Sequence, residues 1–284
     1  SKGYRYNTDF KSDNLFIKSS LSKNNPNTNI IATLSNRKFG ANGFYASPDA
    51  VDQYEETQTS LIGVSSIYNS GNLLIKPKIY WRRNQDEYIY VRSDPSIYRN
   101  LHKTNKISAE VNFNYLSSFG NTGFGIELTS VSIKSNNLGE HDRLSSSLYV
   151  DHTFNLFNEK LTISPGFSLT YFSDLSFHSF PGLDVGFNVN EKLRLYANFG
   201  QTFRIPTFTD LYYSDRTTIG NENLEPESAS SSEFGVKYSS KNIIITSAIF
   251  SRDSKNIIDY VKNNVDDLWQ ATTVSYTHLR AHET

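Results

Sequence analysis

The chain alternates apolar and polar residues in one segment after another, and this period of two is the feature that most constrains its fold. Residues 105–117 place Ile, Ala, Val, Phe and Tyr on one face and Lys, Ser, Glu and Asn on the other. Residues 144–156 and 182–189 follow the same pattern. Successive side chains of a β-strand point to opposite faces, so each segment is predicted to be a strand with one apolar and one polar face. The predicted fold class is therefore all-β.

The connections between these segments differ in length, and the difference alternates along the chain. Short turns rich in Gly, Asn, Asp and Ser are predicted between every second pair of strands, and longer loops between the others. The predicted turns are residues 11–14, 69–72, 118–122, 158–160, 190–192 and 239–242, and the predicted loops are residues 24–51, 93–104, 135–142, 174–180, 204–228 and 253–268. An antiparallel series of about a dozen strands with turns at one end and loops at the other is typical of a transmembrane β-barrel of the outer membrane.

Composition excludes several other classes. The 284 residues carry 28 Lys and Arg against 29 Asp and Glu, a balance that gives no support to a nucleic-acid partner. The mean hydropathy is −0.50, and no apolar run approaches the roughly 18 residues of a membrane-spanning helix. Cys and Met are both absent, which removes thiolate metal sites, disulfides and cysteine nucleophiles. Aromatic residues make up 14% of a chain otherwise rich in Ser and Asn, which suits strands with two different faces.

A sheet that crosses lipid must pair all of its backbone groups, so it has to close into a barrel with apolar faces outward and polar faces toward the lumen. Aromatic residues near strand ends are then predicted to form the girdles at the two membrane interfaces. The candidates for these girdles are Tyr80, Trp81, Tyr88, Tyr90, Phe199 and Phe203. The alternative is ordinary packing in a soluble sheet, which gives no reason for the difference between turns and loops.

Both ends of the sequence suggest an internal segment of a longer protein. Residues 1–10 have no apolar stretch of the kind found in a signal peptide, and they already alternate like a strand. Residues 275–284 (SYTHLRAHET) resemble a translated sequencing adapter. His278, His282 and Glu283 are therefore not counted as candidate metal ligands. We expect residues 1–274 to be a fragment of the barrel and residues 275–284 to be a non-native tail.

Signatures of soluble enzymes are missing from the sequence: there is no P-loop, no G-x-S-x-G elbow and no H-E-x-x-H pair. A histidine in a predicted loop, His141, is flanked by Glu140, Asp142 and Arg143, and a solvated charge cluster is a simpler interpretation than a catalytic or metal site. We therefore expect no enzymatic activity and no cofactor.

Acidic residues in the last predicted loops offer oxygen atoms to Ca²⁺, although their spacing matches no known calcium loop. They are Asp253, Asp259, Asp266 and Asp267. We interpret them as surface acids and predict no resident metal, while Ca²⁺ in the loops stays open.

The most specific segment runs from Leu193 to Tyr238 and reads LRLYANFGQTFRIPTFTDLYYSDRTTIGNENLEPESASSSEFGVKY. It resembles the late barrel of TonB-dependent outer-membrane receptors, with a Tyr-rich strand, a Ser/Thr-Phe-Arg-x-Pro corner, a Leu-Tyr pair and then Gly-Asn-x-x-Leu-x-Pro-Glu. The residues that carry the resemblance are Thr202, Phe203, Arg204, Pro206, Leu211, Tyr212, Gly220, Asn221, Leu224, Pro226 and Glu227.

Further stretches resemble the cobalamin (vitamin B12) receptor-like branch of that family, and together they cover most of the chain. They are FGANGFY (39–45), QYEETQTSL (53–61), YWRRNQDEY (80–88), SNNLGEHDR (135–143) and SKNIIDYV (254–261).

The corner motif also has a physical interpretation that does not depend on the resemblance. Pro206 cannot donate to a β-ladder and biases Ile205 away from helix, so a strand should end just after Arg204. Gly220-Asn221 predicts a turn, and Pro226-Glu227 predicts the start of a new strand. Arg204 and Glu227 are expected to hold the loop against the wall through polar contacts.

The resemblance implies more than the chain contains. Receptors of this family have a barrel of about 22 strands that is wide enough to need a plug. Here the plug domain, with its TonB box, and the first and last strands are expected to be missing. The resemblance further implies an outer-membrane location in a Gram-negative bacterium, with the lipid bilayer, TonB and its inner-membrane energising complex as partners. A surface lipoprotein that caps the barrel is left open.

The cargo implied by the resemblance is a scarce, large small-molecule ligand, with cobalamin or another corrinoid first and a ferric siderophore as the alternative. Aromatic residues at loop tips are the predicted ligand contacts, because rings give flat ligands contact area. They are Phe44, Tyr45, Tyr212, Tyr213 and Trp269. Two other hypotheses are a passive or enzymatic barrel of about 12 strands and a secreted carbohydrate-binding protein.

Overall fold

The sequence folds almost entirely into β-structure in a computed structural model that describes residues 5–22, 26–45 and 47–274. Twelve strands form the main sheet: β1 (Phe10–Ser22), β2 (Asn27–Gly40), β3 (Tyr54–Ser70), β4 (Leu73–Ile89), β5 (Arg99–Ser117), β6 (Gly120–Ser135), β7 (Gly139–Leu156), β8 (Leu161–Phe172), β9 (Ser176–Asn188), β10 (Leu193–Arg204), then β12 (Glu227–Ser239) and β13 (Ile244–Lys255). The short elements are helix α1 (Phe208–Tyr212) and strands β11 (Thr218–Ile219), β14 (Ile257–Val261) and β15 (Trp269–Val274). The prediction of an all-β fold with about a dozen strands is confirmed.

The topology is a meander. The strands of the main sheet are hydrogen-bonded in chain order from β1 to β10, followed by β12 and β13. The small sheet has the order β11-β15-β14. Each strand of the main sheet therefore pairs with its neighbour in sequence, and β10 and β12 are separated only by α1 and β11.

The chain divides into two compact units. The first contains Ser1–Tyr68, Lys76–Glu110 and Leu128–Leu144, and so holds β1, β2 and parts of β3 to β7. The second contains Asn69–Ile75, Val111–Glu127 and Ser145–Thr284, and so holds β8 to β15, α1 and the remaining parts of β3 to β7.

The two faces of the sheet have opposite chemistry, as the alternation predicts. On the polar face, Thr59 donates a hydrogen bond to Asn84 (2.7 Å), and Lys78 pairs with Glu110 (2.5 Å). On the other face the large apolar side chains are exposed, with Ile79 53% and Leu128 55% accessible. A sheet that leaves its apolar face uncovered in this way has the pattern of strands that face lipid.

Several predicted connections are wrong. Residues 11–14 lie inside β1, which is the first strand of the sheet and exposed along its whole length, so polar residues are tolerated on both of its faces. The predicted loop 24–51 contains β2, and only residues 41–53 remain as a loop. The loops predicted at 135–142 and 174–180 shrink to residues 136–138 and 173–175. Gly139 (φ +82°) and Ser176 (φ +65°) adopt the left-handed conformation that lets the chain reverse there.

Helix α1 is a single short turn, and within the described ranges no helix has the length and apolar character needed to cross a membrane. The predicted tail at 275–284 lies outside the described residues.

Candidate functional site

The corner motif in the second unit forms a compact arrangement around the end of β10. Strand β10 ends at Arg204, as predicted from Pro206, which is fully buried. Strand β12 begins at Glu227, directly after Pro226. Between them the chain forms helix α1, which begins with a capping box: the Thr207 hydroxyl accepts a hydrogen bond from Asp210 N (3.1 Å), and the Asp210 carboxylate accepts from Thr207 N (2.9 Å).

Arg204 connects the ends of the two strands to this helix. Its Nη2 donates to Glu227 Oε1 (2.7 Å), and its Nη1 lies 3.5 Å from Asp210 Oδ2. Glu227 Oε1 also accepts a hydrogen bond from Ile258 N (2.8 Å) in β14. One guanidinium therefore holds two carboxylates, and through them it fixes α1, β12 and the small sheet together.

A small hydrophobic cluster joins α1 to β14 and β15. It consists of Leu211, Leu224, Ile258 and Ala271, and Tyr212 and Tyr260 pack against it. We call residues 205–226 together with β14 and β15 the corner cap. The motif residues Leu211 and Leu224 lie at its centre, so the motif builds a folded structure at this point.

The turn of the motif supports the same cap. Asn221 N donates to Asp210 O (2.9 Å), and Gly220 N donates to Tyr213 O (2.6 Å). A Cβ at Gly220 would lie 2.7 Å from Leu211 O, too close for a side chain. Glycine is therefore required here for a close backbone approach.

Phe203, the residue before Arg204, belongs to a cluster of rings. It stacks on His178 (centroids 4.2 Å apart, interplanar angle 20°) and contacts Phe180 at 4.9 Å and Phe172 at 5.8 Å. The prediction that Phe203 stands in an interfacial girdle did not anticipate these partners on β8 and β9.

Asp215 organises the loop that follows α1. Burial disfavours the ionised carboxylate, but four hydrogen bonds outweigh burial and lower the pKa of Asp215. The donors are Thr217 N (2.7 Å), the Tyr213 hydroxyl (2.9 Å), the Thr217 hydroxyl (3.0 Å) and Thr218 N (2.7 Å). Tyr213 is thus engaged in holding a loop carboxylate.

The three aromatic residues predicted as ligand contacts in this unit have different surroundings. Tyr212 and Tyr213 are half-buried in the corner cap, where Tyr212 stacks against Phe208 (6.4 Å, 28°). Trp269 is exposed at the start of β15, with Lys262 Nζ 5.3 Å from its ring centroid. Their contact with a ligand stays a prediction.

The other two predicted contacts, in the first unit, lie in a row of rings. Phe44 meets Tyr45 edge-on (4.8 Å, 86°), Tyr45 meets Tyr88 (5.5 Å, 84°), and Tyr88 meets Tyr98 (6.3 Å, 71°). We call these four residues the tyrosine row. The Tyr45 hydroxyl also donates a hydrogen bond to Glu55 at the start of β3.

The tyrosine row corrects the assignment of Tyr88 to a girdle. In β4, Tyr88 has the same parity as Asn84 and Lys78, whose partners mark the polar face, so its ring does not face lipid. Tyr80 has the same parity, with Lys106 Nζ 5.6 Å from its ring centroid. Parity in the sequence contained this signal, whereas nothing in the sequence singled out Tyr98, which a loop brings to Tyr88.

The remaining sequence candidates form no site in the part of the chain that the structure describes. His141 Nε2 lies 2.6 Å from Leu138 O within a tight turn, and Asp267 accepts hydrogen bonds from Asn264. Across residues 5–22, 26–45 and 47–274, no group of three or more His, Cys, Asp or Glu side chains is placed to hold a metal ion.

Known proteins resemble this chain both in sequence and in structure. The relatives found by sequence match short stretches of it. The vitamin B12 transporter BtuB of Vibrio vulnificus is 26% identical over 106 residues, which are 37% of this chain and 17% of that protein. The vitamin B12 transporter BtuB of Photobacterium profundum is 39% identical over 54 residues, which are 19% of this chain and 8% of that protein.

Solved structures match nearly the whole chain at low sequence identity. The siderophore receptor PirA from Pseudomonas aeruginosa aligns with a TM-score of 0.77 at 14% identity, over 94% of this chain and 51% of that one. The copper transporter OprC aligns with a TM-score of 0.77 at 10% identity, over 95% and 48%. These likenesses show the fold, and the chain spans about half the length of the solved relatives.

The model of the family described as TonB dependent receptor-like, beta-barrel matches residues 2–280, nearly the whole chain. Proteins of this family reside in the outer membrane, in agreement with the exposed apolar face of the sheet. The chain belongs to the TonB-dependent receptors and forms part of their β-barrel.

Proposed function

We propose that the full-length protein containing this chain captures a corrinoid such as cobalamin at the cell surface and imports it across the outer membrane with energy transmitted by TonB. The observation that carries the proposal is the sequence similarity to two vitamin B12 transporters. The family is one of receptors and transporters, so the activity proposed is transport, with no bond made or broken in the cargo.

In this mechanism the loops capture the cargo and a domain outside this chain blocks the lumen until TonB acts on it. The part of the chain described here contributes the wall and the loop ends. The corner cap gives one loop a fixed structure, and the tyrosine row presents rings at another. Energy enters from the inner-membrane complex, since nothing in a barrel wall can couple to a proton gradient across another membrane.

A ferric siderophore is the second candidate cargo. The solved structures that resemble this chain include a siderophore receptor and a ferric enterobactin receptor. Their identity to this chain is 14% and 13%, which supports a common fold and gives no preference between cargoes.

Uptake by cells tests the proposal. A strain that lacks its own cobalamin receptor is given the full-length gene, and uptake of cobalt-labelled cyanocobalamin is compared with uptake of an iron-labelled siderophore. We expect cobalamin uptake that is lost in a strain without TonB and lost after a protonophore. The strain that expresses the receptor and lacks TonB also serves as a control, because the label it retains measures binding at the cell surface without uptake.

Two results would contradict the proposal. Uptake of the siderophore but not of cobalamin would transfer the function to the second candidate. Uptake of cobalamin that persists without TonB would instead indicate a passive pore.

A further inference from the structure

Two of the four rings of the tyrosine row are open to solvent, and Tyr88 and Tyr98 are half-buried. Phe44 is 74% exposed and Tyr45 is 46% exposed, although each ring contacts the next. Successive rings meet at 71° to 86°, so the row presents edges and faces in alternation. The exposed ring faces of such a surface offer contact area to a conjugated molecule.

The row is held in place before any cargo binds. Tyr45 N donates to Gln53 Oε1 (3.0 Å), and Gln53 is fully buried. Asn100 Nδ2 donates to the Tyr98 hydroxyl (3.1 Å), and Asn100 is also buried. Rings that are already ordered lose little conformational entropy when they bind, so this arrangement favours affinity.

Carboxyl groups lie beside the row on the same face of the sheet. Glu55 accepts the hydrogen bond of the Tyr45 hydroxyl, and Asp86 precedes Tyr88 by two residues on β4, which places both on one face.

The cations near the row are mostly directed elsewhere. Arg92 is paired with Asp9 (2.5 Å). Lys38 pairs with Glu56, and Arg99 pairs with Glu87, on the opposite face. Arg37, opposite Thr57, is the cation on the polar face of β2. Arg82 shares the parity of Asp86 on β4, and His102 interacts electrostatically with Asp86. Glu55 and Asp86 are therefore the acidic groups next to the rings, while these basic groups lie on the same face.

We propose that the tyrosine row is the cargo seat of the first unit, and that Glu55 and Asp86 restrict it to flat cargo that is uncharged or cationic. Ionised carboxyl groups repel a polyanion, and protonated ones offer it no compensating positive charge. A metal chelate with several negative charges is thereby disfavoured, whereas an amide-rich corrinoid is not. This inference rests on the proposed function and narrows its cargo class.

Binding to the purified full-length receptor in detergent tests the inference. The probes are cyanocobalamin, which is neutral, and ferric enterobactin, a tris-catecholate trianion. Tyr88→Leu removes the central ring, and Tyr80→Leu is the matched control, a tyrosine of the same parity on the same strand outside the row. We expect Tyr88→Leu to weaken the binding of cyanocobalamin about tenfold, and Tyr80→Leu to change it less than about twofold.

The role of the carboxyl groups is tested by the double variant Glu55→Gln/Asp86→Asn and by Glu55→Lys. We expect both to strengthen ferric enterobactin binding relative to cyanocobalamin binding, by about tenfold or more for Glu55→Lys. Tyr98→Leu, which alters a loop residue, repeats the ring test if Tyr88→Leu reduces folding, and heat-modified electrophoretic mobility reports folding of each variant.

The outcomes separate this inference from the proposed function. If the wild type binds cyanocobalamin but neither Tyr88→Leu nor Tyr98→Leu weakens it, the cargo seat is elsewhere while the proposed function stands. If the wild type binds ferric enterobactin more tightly than cyanocobalamin, both the charge restriction and the proposed function are overturned. Unchanged ferric enterobactin binding in the Glu55→Lys variant removes the charge restriction alone.

Discussion

The tyrosine row and the corner cap use the same residue types in opposite ways. In the corner cap, Tyr212 and Tyr260 pack against the aliphatic cluster around Leu211 and Leu224. In the tyrosine row, rings contact other rings, Phe44 and Tyr45 remain exposed, and no buried aliphatic cluster among the described residues supports these two. An aromatic residue near a loop is therefore a candidate for ligand contact only when its ring is not already part of a core.

The comparison also separates stability from binding. Changes in the corner cap should loosen the chain locally, because they remove buried contacts. Changes in the tyrosine row should alter cargo binding and leave local stability nearly unchanged.

The largest effect is expected from Leu211→Ala. Leu211 is buried in the cluster of the corner cap, and removing its side chain should cost about 2–3 kcal/mol locally. The population of opened cap should then rise about 30- to 150-fold, measured as the rate of trypsin cleavage at the exposed Arg216 in the folded receptor. Tyr45→Leu, in the first unit, should leave that rate unchanged, and an equal increase in both variants would erase the distinction between the two regions.

A smaller loss is expected from Arg204→Gln. This change leaves the carboxylates of Asp210 and Glu227 without their common cation, and because Arg204 is partly exposed the cost should be about 1–2 kcal/mol. Arg99→Gln removes an exposed ion pair with Glu87 in the first unit and should cost less than about 1 kcal/mol. Urea unfolding of the two variants compares them directly, and equal losses would show that the corner is no more than a surface ion pair.

The smallest effect is a dependence on pH in the loop around Asp215. Its folded pKa lies below the ordinary value of 3.8, so its stabilising contribution is complete above that value and is lost as pH falls through the folded pKa. Hydrogen exchange of the Thr217 and Thr218 amides should therefore show protection at about pH 5 that declines at lower pH. Asp215→Asn should remove this pH dependence. Tyr213→Phe deletes one of the hydrogen bonds to the carboxylate and should move the loss of protection to higher pH. If amide protection in the wild type does not change with pH, the Asp215 carboxylate is not the source of the protection.

Much of the sheet follows from sequence because its signals are local. Alternation along each strand predicts the two faces, Pro206 predicts the end of β10, and Pro226-Glu227 predicts the start of β12. The capping box of Thr207 and Asp210 was also readable as T-x-x-D, although it was not part of the sequence prediction.

The tight turns at 136–138 and 173–175 were missed because a strand that extends beyond lipid can carry polar residues that look like a loop. The tyrosine row was only half predicted, since Tyr98 reaches Tyr88 through the path of a loop, and loop paths depend on contacts distant in sequence. The double role of Arg204 has the same origin, because Asp210 and Glu227 approach it from two different elements.

The meander order of the sheet has a consequence for how the chain folds. Each strand other than β12 can be added beside its predecessor by closing a shorter connection, and the entropy lost on closure grows only with the logarithm of loop length. Bringing β12 beside β10 is a costlier step, since the intervening segment from Ile205 to Pro226 must be closed, at about 2 kcal/mol more than a turn of about three residues. The capping box of α1 and the hydrogen bond from Asn221 N to Asp210 O shorten that segment locally, whereas the aliphatic cluster of the corner cap is complete only once Ile258 and Ala271 arrive with β14 and β15.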